Sequence, residues 1–438
     1  VIFNKGAVMI LPQGVNKGSG MLASLQELGL SYHNAVGIGD AENDLAFLTQ
    51  CECAVAVANA LASLKEKADL VTGEDHGRGV EQLIERLLAT DLKELDPQLS
   101  RRHILLGRTG AGDEFRLPPF GSHLLVAGPS GSGKTSVVTA FLEQLVKSGY
   151  QFCIIDPEGD YHSLENTVVV GDAKNPPAQD AVMQILKQYG NPVVNLLAIS
   201  ANDRPSSFPS YLQPILEMQT KTGRPHWLVV DEAHHVLPAS GHSPGSFLAA
   251  EEMLSSILIT VEPVRVDPKA LFDVNLVIAV GAAPEETFRQ FSEHIGLAPP
   301  KIQASETENS LVHLWQCKES GEAVPVRIEP GETDRRRHRR KYAEGDLQDK
   351  SFHFRGPEGK LNLRAQNLIM FIQLSEGIDD ATWLYHLERH EYSEWVRTAI
   401  KDTTLADSIA LIERAHLPPE ESRRRIKTAI EEIYTHPS

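Results

Sequence analysis

Gly128-Pro-Ser-Gly-Ser-Gly-Lys-Thr135 is the stretch on which the fold turns. It satisfies G-x-x-x-x-G-K-[ST] in full. An apolar run, His123–Ala127, leads into it and a helical pattern, Ser136–Val146, leads out. Strand, glycine loop and helix in that order predict an α/β domain built on a parallel sheet. The chemistry needs this arrangement. Glycines at 128, 131 and 133 let backbone N–H groups surround a β-phosphate with no Cβ in the way. Ser130, Ser132 and Ser136 complete the expected nucleotide-binding set. The helix N-terminus adds partial positive charge, Lys134 neutralises the β/γ oxygens, and the Thr135 hydroxyl coordinates Mg²⁺. A nucleoside triphosphate with Mg²⁺ is the expected ligand.

A second carboxylate should hold the metal at the end of another buried strand, and Trp227-Leu-Val-Val-Asp231-Glu232 offers one. Asp231 is the expected metal partner. Glu232, next to it, is placed to polarise an attacking water as general base. Short apolar runs bounded by Gly, Pro or Asp read as further buried strands at Leu124–Ala127, Phe152–Ile155, Val193–Leu197, Ile257–Val261 and Leu276–Val280.

The strand Phe152–Ile155 runs into Asp156-Pro-Glu-Gly-Asp-Tyr161. With the glycine loop and the Asp231-Glu232 pair, this stretch resembles the HerA/FtsK-like branch of P-loop ATPases over roughly 120–281, in which a D-P-x-G-[ED]-Y stretch follows the second strand. The resemblance implies a RecA-like core that turns over ATP. Motors of that branch carry a polar sensor, often Gln, at the end of the next strand, whereas Ile257–Val261 runs here into Glu262-Pro263. Arg265 and Arg289 are the candidates for an arginine finger.

Residues 1–90 show a separate α/β rhythm. Phe3–Leu11 reads as a strand pair, Leu22–Leu28 as helix, Ala35–Ile38 and Ala54–Val57 as strands. Val36-Gly-Ile-Gly-Asp40-Ala-Glu-Asn-Asp44 is a strand ending in acidic residues on a glycine turn, the edge where α/β folds gather Mg²⁺ and phosphate. Upstream, Gly14-Val-Asn-Lys17-Gly sets a lysine at a helix start, suited to a phosphoryl oxygen. Together with Ala54–Ala60 and Ala68–Thr72 these resemble the C-terminal half of haloacid-dehalogenase-type phosphatases of the Cof/sucrose-phosphatase kind. The resemblance implies that Lys17 steadies an aspartyl-phosphate, that Asp40 binds Mg²⁺, and that Asn43 and Asp44 support it. The family nucleophile is an Asp in a D-x-D motif, and none precedes Lys17. The first residue is Val. A longer natural protein, or a second chain, is expected to supply that front half.

Beyond these lie 91–119, charged and then Gly/Pro-bearing, expected as a linker, and a basic run, Arg335–Lys341, within a second linker at 331–350. The run suits phosphate or nucleic acid, or a solvated connector. Residues 351–438 are helical by pattern, with Trp383, Tyr385, Tyr392 and Trp395 at helical spacing as a core or a docking face. Arg423–Arg425 reads as an exposed helix face.

Of 438 residues, 41% are hydrophobic and 23% charged, the balance of a packed globular protein of more than one domain. Net charge is −17, from 42 basic and 59 acidic residues, which does not favour a chain that coats nucleic acid. Four cysteines make no disulfide framework, and Cys51 and Cys53 read as plain thiols. No apolar run approaches the ~18 residues of a membrane span, and a cytoplasmic protein is expected.

The fold expected is α/β: a partial haloacid-dehalogenase-like Rossmannoid segment at 1–90, a RecA-like P-loop NTPase domain with a parallel sheet at 120–330, and a helical C-terminal domain at 351–438. The function expected is Mg²⁺-dependent ATP hydrolysis joined to phosphate-monoester hydrolysis on a phosphorylated small molecule such as a sugar phosphate. The alternatives are a DNA translocase, a small-molecule kinase and an ATP switch without turnover.

Overall fold

The computed structural model describes residues 2–4, 7–162, 164–239, 254–303, 311–329, 331, 342–343, 347, 350–400 and 402–434. The chain divides into two compact units, Val1–Gly331 and Glu332–Ser438.

The first unit opens with an antiparallel pair, β1 (Ile2–Asn4) and β2 (Ala7–Met9). The helix Lys17–Glu27 follows. Then comes a parallel three-stranded sheet of β3 (Val36–Gly39), β4 (Cys53–Ala56) and β5 (Leu70–Val71). Helix His76–Thr90 covers one face through Leu83.

The expected linker at 91–119 is folded. Leu92, Leu95 and Leu99 pack on Cys53, Val55 and Leu83. Arg101 and Arg102 turn back to donate to the carbonyls of Gln50, Cys51 and Glu52 at 2.5–2.8 Å. Two arginines in a charged stretch read as solvated linker, yet here they satisfy carbonyls that the start of β4 leaves unpaired. β6 (Ile104–Thr109) and β7 (Glu114–Leu117) then form an antiparallel hairpin on the main sheet.

That sheet runs in the order β10 (Thr167–Val170), β11 (Asn191–Asn195), β9 (Phe152–Asp156), β12 (Trp227–Val230), β13 (Ser255–Thr260), β8 (His123–Ala127), β14 (Leu276–Ala279), β16 (Leu311–Gln316), β17 (Glu322–Ile328), β6 and β7, with the short β15 (Lys301–Ile302) beside β17. From β10 to β14 every neighbouring pair is parallel, and from β14 to β7 every pair is antiparallel. The apolar runs are continuous because both faces are covered. Leu124, Val126, Ile154, Val229, Ile257 and Ile259 face the helix Lys134–Lys147, while Leu125, Ala127, Ile155, Val230 and Leu258 face the helices Gln179–Lys187, Arg204–Thr222 and Pro284–Ile295.

The second unit is helical, as expected, with one difference. Within the stretch expected to be helical, β18 (Phe352–Phe354) and β19 (Leu363–Ala365) form an antiparallel pair, and the helix begins at Leu368 behind an Asn367 cap. Trp383, Tyr392 and Trp395 are core residues. Trp383 stacks on Tyr392 at 4.4 Å and Trp395 on Phe371 at 5.1 Å. Tyr385 instead carries Arg389 over its ring. Arg423 pairs with Asp380, and Arg424 and Arg425 with Glu421. The basic run Arg335–Lys341 lies outside the described residues. Among the described residues no helix is long and apolar enough to cross a membrane.

Candidate functional site

Parallel strands place their C-terminal ends along one edge of the sheet, and the loop after β8, Asp231 after β12 and Thr260 at the end of β13 all lie there. β13 separates the other two strands, so its last residue stands between the glycine loop and the acidic pair. Gly128 N donates to Thr260 O at 3.4 Å.

The loop is built as its glycines suggested. Gly131 and Gly133 sit at φ +74° and +102°, conformations that side chains resist. Gly128 is required by contact, since a Cβ there would lie 1.9 Å from Val280 O. Lys134 is buried and curls over the loop, donating from Nζ to Gly128 O at 3.0 Å and Pro129 O at 3.1 Å. Ser132 Oγ is buried with no partner among the described residues. Thr135 is half-buried at the first turn of the helix, and Ser130 and Ser136 are exposed.

Asp231 is 2% exposed. Burial pushes its carboxyl up to about 8, with the charges of Glu232, Asp156 and Asp160 adding to the effect. Glu232 occupies the left-handed region at φ +39°. Its Oε2 is buried with no hydrogen-bond partner among the described residues and lies 3.3 Å from His234 Nδ1. Burial raises the Glu232 carboxyl as well, against the opposing pull of Lys134. The same nitrogen of His234 is 3.2 Å from Thr260 Oγ1, and burial, then His235, Arg265 and Lys134, lowers His234 to about 4, so it is neutral at pH 7. Tyr161 OH is buried and without a hydrogen-bond partner among the described residues, and burial followed by the charge of Asp231 drives its pKa up.

Two of these groups, Thr260 and His234, escaped sequence reasoning. Thr260 supplies the polar strand end that Ile257–Val261 passed over, because the strand stops one residue earlier. His234 follows Glu232 by two positions, but only the tertiary turn aims it back. Asp156 is fully buried with both oxygens consumed by the backbone N–H groups of Glu158, Gly159, Asp160 and Tyr161, so it organises the turn that brings Tyr161 to the site. Of the arginine candidates, Arg289 is bound to Glu286 and Glu293 on its own helix, whereas the charge of Arg265 acts on Glu232 and His234.

Among the described residues no three His, Cys, Asp or Glu side chains group closely enough to hold a metal by themselves. The donor set nevertheless fits Mg²⁺. Thr135 and Asp231 are hard oxygen donors, and Glu232, next to Asp231, has a buried carboxylate oxygen without a hydrogen-bond partner among the described residues. Such a set is completed by phosphate oxygens.

In the first segment, Asn16 caps the helix that starts at Lys17, forming a capping box with Ser19. Lys17 Nζ donates to Asp44 Oδ1, and Asp44 Oδ2 accepts from the N–H groups of Asp40 at 2.9 Å and Ala41 at 3.2 Å. Lys17, Asp40 and Asp44 are thereby brought together, with Asp44 tying the lysine to the acidic turn. Asn43 is half-buried on that turn. Cys51 and Cys53 are buried thiols, Cys51 donating to Met21 Sδ.

Residues 1–84 match the family model described as haloacid dehalogenase-like hydrolase, and residues 121–281 match the AAA domain model. Phosphoglycolate phosphatase 2 of Saccharolobus solfataricus is 40% identical over 94 residues, 21% of this chain and 40% of that protein. The phosphoglycolate phosphatase of Methanothermobacter thermautotrophicus is 40% identical over 82 residues, 19% of this chain and 37% of that one. The chain thus spans about two fifths of the length of these curated relatives. Among solved structures, VirB4 of Thermoanaerobacter pseudethanolicus aligns with 53% of this chain and 97% of its own at 12% identity and TM-score 0.40. The genome packaging NTPase of Sulfolobus turreted icosahedral virus 2 in complex with AMPPCP aligns with 48% and 99% at 15% identity and TM-score 0.36. The chain joins a haloacid dehalogenase-like segment to a P-loop AAA domain.

Proposed function

We infer that the P-loop domain binds ATP with Mg²⁺ and hydrolyses it. The observation that carries this is the opposition, at one sheet edge, of a lysine-bearing glycine loop and an acidic pair in which Asp231 is buried and the half-buried Glu232 keeps one oxygen without a partner among the described residues. Thr135 and Asp231 would hold the magnesium ion, which supplies charge neutralisation to the triphosphate oxygens. Lys134 exchanges its two loop carbonyls for β/γ oxygens. A water oxygen bonds to the γ-phosphorus as the bond to the bridging oxygen breaks, ADP leaves, and the water proton passes to Glu232. A raised carboxyl makes Glu232 a better base than a solvated glutamate. His234, neutral and bridged to Thr260, stands 3.3 Å from that carboxylate.

The first segment is read as the lysine-bearing half of a phosphate-monoester phosphatase acting on a small phosphorylated metabolite. Support comes from the Lys17–Asp44–Asp40 arrangement and the family match. On this reading Lys17 is the stabilising lysine and Asp40–Asp44 the acidic turn, and turnover needs an attacking carboxylate placed beside them.

Lys134→Ala tests the first reading. Triphosphate affinity measured by calorimetry with Mg²⁺ should fall by about two orders of magnitude, the loss of a charge-assisted contact in a dry site. Undiminished binding would overturn it. Measuring ATP turnover with and without DNA, and phosphate release from a panel of phosphosugars, separates a translocase from a metabolite enzyme.

A further inference from the structure

The first segment packs against the sheet edge opposite the glycine loop. His33 reaches Ser148 O at 2.9 Å at the far end of the loop's helix, and Arg224, just before β12, donates from Nε to Gly29 O at 3.0 Å. Between the two modules lies a cavity of about 720 Å³, within the range of small-molecule sites. Leu22, Leu25 and Leu30 form one wall, Val146 and Val168 part of the other, and Arg224 with Tyr189 the polar end.

Arg224 is the unusual group. It is 2% exposed, yet the groups around it are neutral. A guanidinium has five N–H donors. Nε goes to Gly29 O, and Nη1 donates to Gln151 Oε1 and Leu186 O, both at 3.2 Å. Both hydrogens of Nη2 are left without an acceptor among the described residues. The group lies 3.8 Å over the Tyr189 ring, whose hydroxyl is anchored on the carbonyls of Gln26 and Leu30. Of the ionisable groups acting on it, Tyr189 alone opposes the cost of burial, and no carboxylate contributes. A buried cation without a counter-charge is costly, and native proteins pair such groups or give them a ligand.

We propose that this inter-module cavity is a second ligand site, taking a small organic anion, a carboxylate or phosphate monoester on an apolar body, with Arg224 Nη2 as its anion contact. One guanidinium end with two free hydrogens fits a single anionic head. The leucine wall fits a hydrocarbon or ring body. Nothing here resembles the amide nest at the other edge, so a triphosphate is not its ligand. Because the walls come from both modules, the ligand would bind only when they are docked.

Benzoate and phenyl phosphate serve as probes, with benzamide as the uncharged counterpart, titrated into the whole chain by calorimetry while ATP is titrated in parallel. Benzoate or phenyl phosphate should bind at least about tenfold more tightly than benzamide, the worth of one charged hydrogen bond. Arg224→Gln should erase that preference. Because Arg224 also braces Gly29, Leu25→Trp supplies the independent variant: it fills the cavity, leaves Arg224 in place, and should abolish probe binding with ATP affinity unchanged. Equal binding of benzamide and benzoate, probe binding that survives Leu25→Trp, or no anion binding at millimolar concentration would each overturn the proposal. The relative strength of benzoate and phenyl phosphate tells which anionic head the site prefers.

Discussion

Glu232→Gln should move stability and turnover in opposite directions, and the structure sets the scale. Asp231 is carried from its ordinary 3.8 up to about 8. At ~1.4 kcal/mol per pH unit, ionising it in the nucleotide-free protein costs on the order of 6 kcal/mol. Most of that comes from burial, which the substitution leaves in place, and the charge of Glu232 is the next contribution. Removing one like charge should return on the order of one pH unit, ~1.4 kcal/mol. The sign follows from linkage. A carboxyl with a raised folded pKa contributes stability that is fully present below 3.8 and is lost as pH rises through about 8. The nucleotide-free wild type should therefore weaken as pH climbs across that window, and Glu232→Gln should weaken less. Urea unfolding at a series of pH values should show the variant more stable by ~1 kcal/mol near pH 9, with the difference vanishing toward pH 4. The same variant should retain triphosphate binding while turnover drops by about 10²–10⁴, the worth of a general base. A variant no more stable than wild type at alkaline pH would refute the electrostatic argument, and retained turnover would remove Glu232 from its role.

Gly128→Ala sets a Cβ 1.9 Å from Val280 O, on backbone that cannot turn aside, whereas the same change at Gly131 meets nothing within 4 Å. Thermal unfolding should therefore show Gly128→Ala less stable by ~1–3 kcal/mol, and more damaged than Gly131→Ala, which bears only the φ strain. At the junction of the modules, Glu52 accepts from Tyr150 OH at 3.0 Å and meets His33 at 2.7 Å. Burial pushes the Glu52 carboxyl up to about 7 and His33 down to about 3. The Glu52 contribution is full below 4.5 and lost as pH rises through 7, and that of His33 is full above 6.5 and lost as pH falls toward 3. Glu52→Gln should flatten the fall in stability between pH 4.5 and 7 and leave the His33-dependent loss toward pH 3, as denaturation across pH would show.

Local chemistry was legible in the amino-acid order. Gly128–Thr135 with its flanking strand and helix, and Asp231-Glu232 at the end of Trp227–Val230, specify strand, loop and carboxylate through interactions within a few residues. Buried parallel strands announce themselves because both faces must be apolar. The Lys17 helix start and the Asp40–Asp44 turn are equally local. What depended on which strands become neighbours was not legible. Thr260 stands between loop and acid only because β13 inserts between β8 and β12, and His234 faces Glu232 only through the turn after β12. Arg101 and Arg102 looked like solvated charge until the carbonyls of Gln50–Glu52, some fifty residues earlier, came within reach. Arg224, an ordinary arginine in sequence, becomes a buried cation because Gly29 of the first segment closes over it. Backbone periodicity and side-chain type are properties of the chain; desolvation and unmet hydrogen-bond capacity belong to the packed molecule, because they are set by atoms that the sequence places far apart.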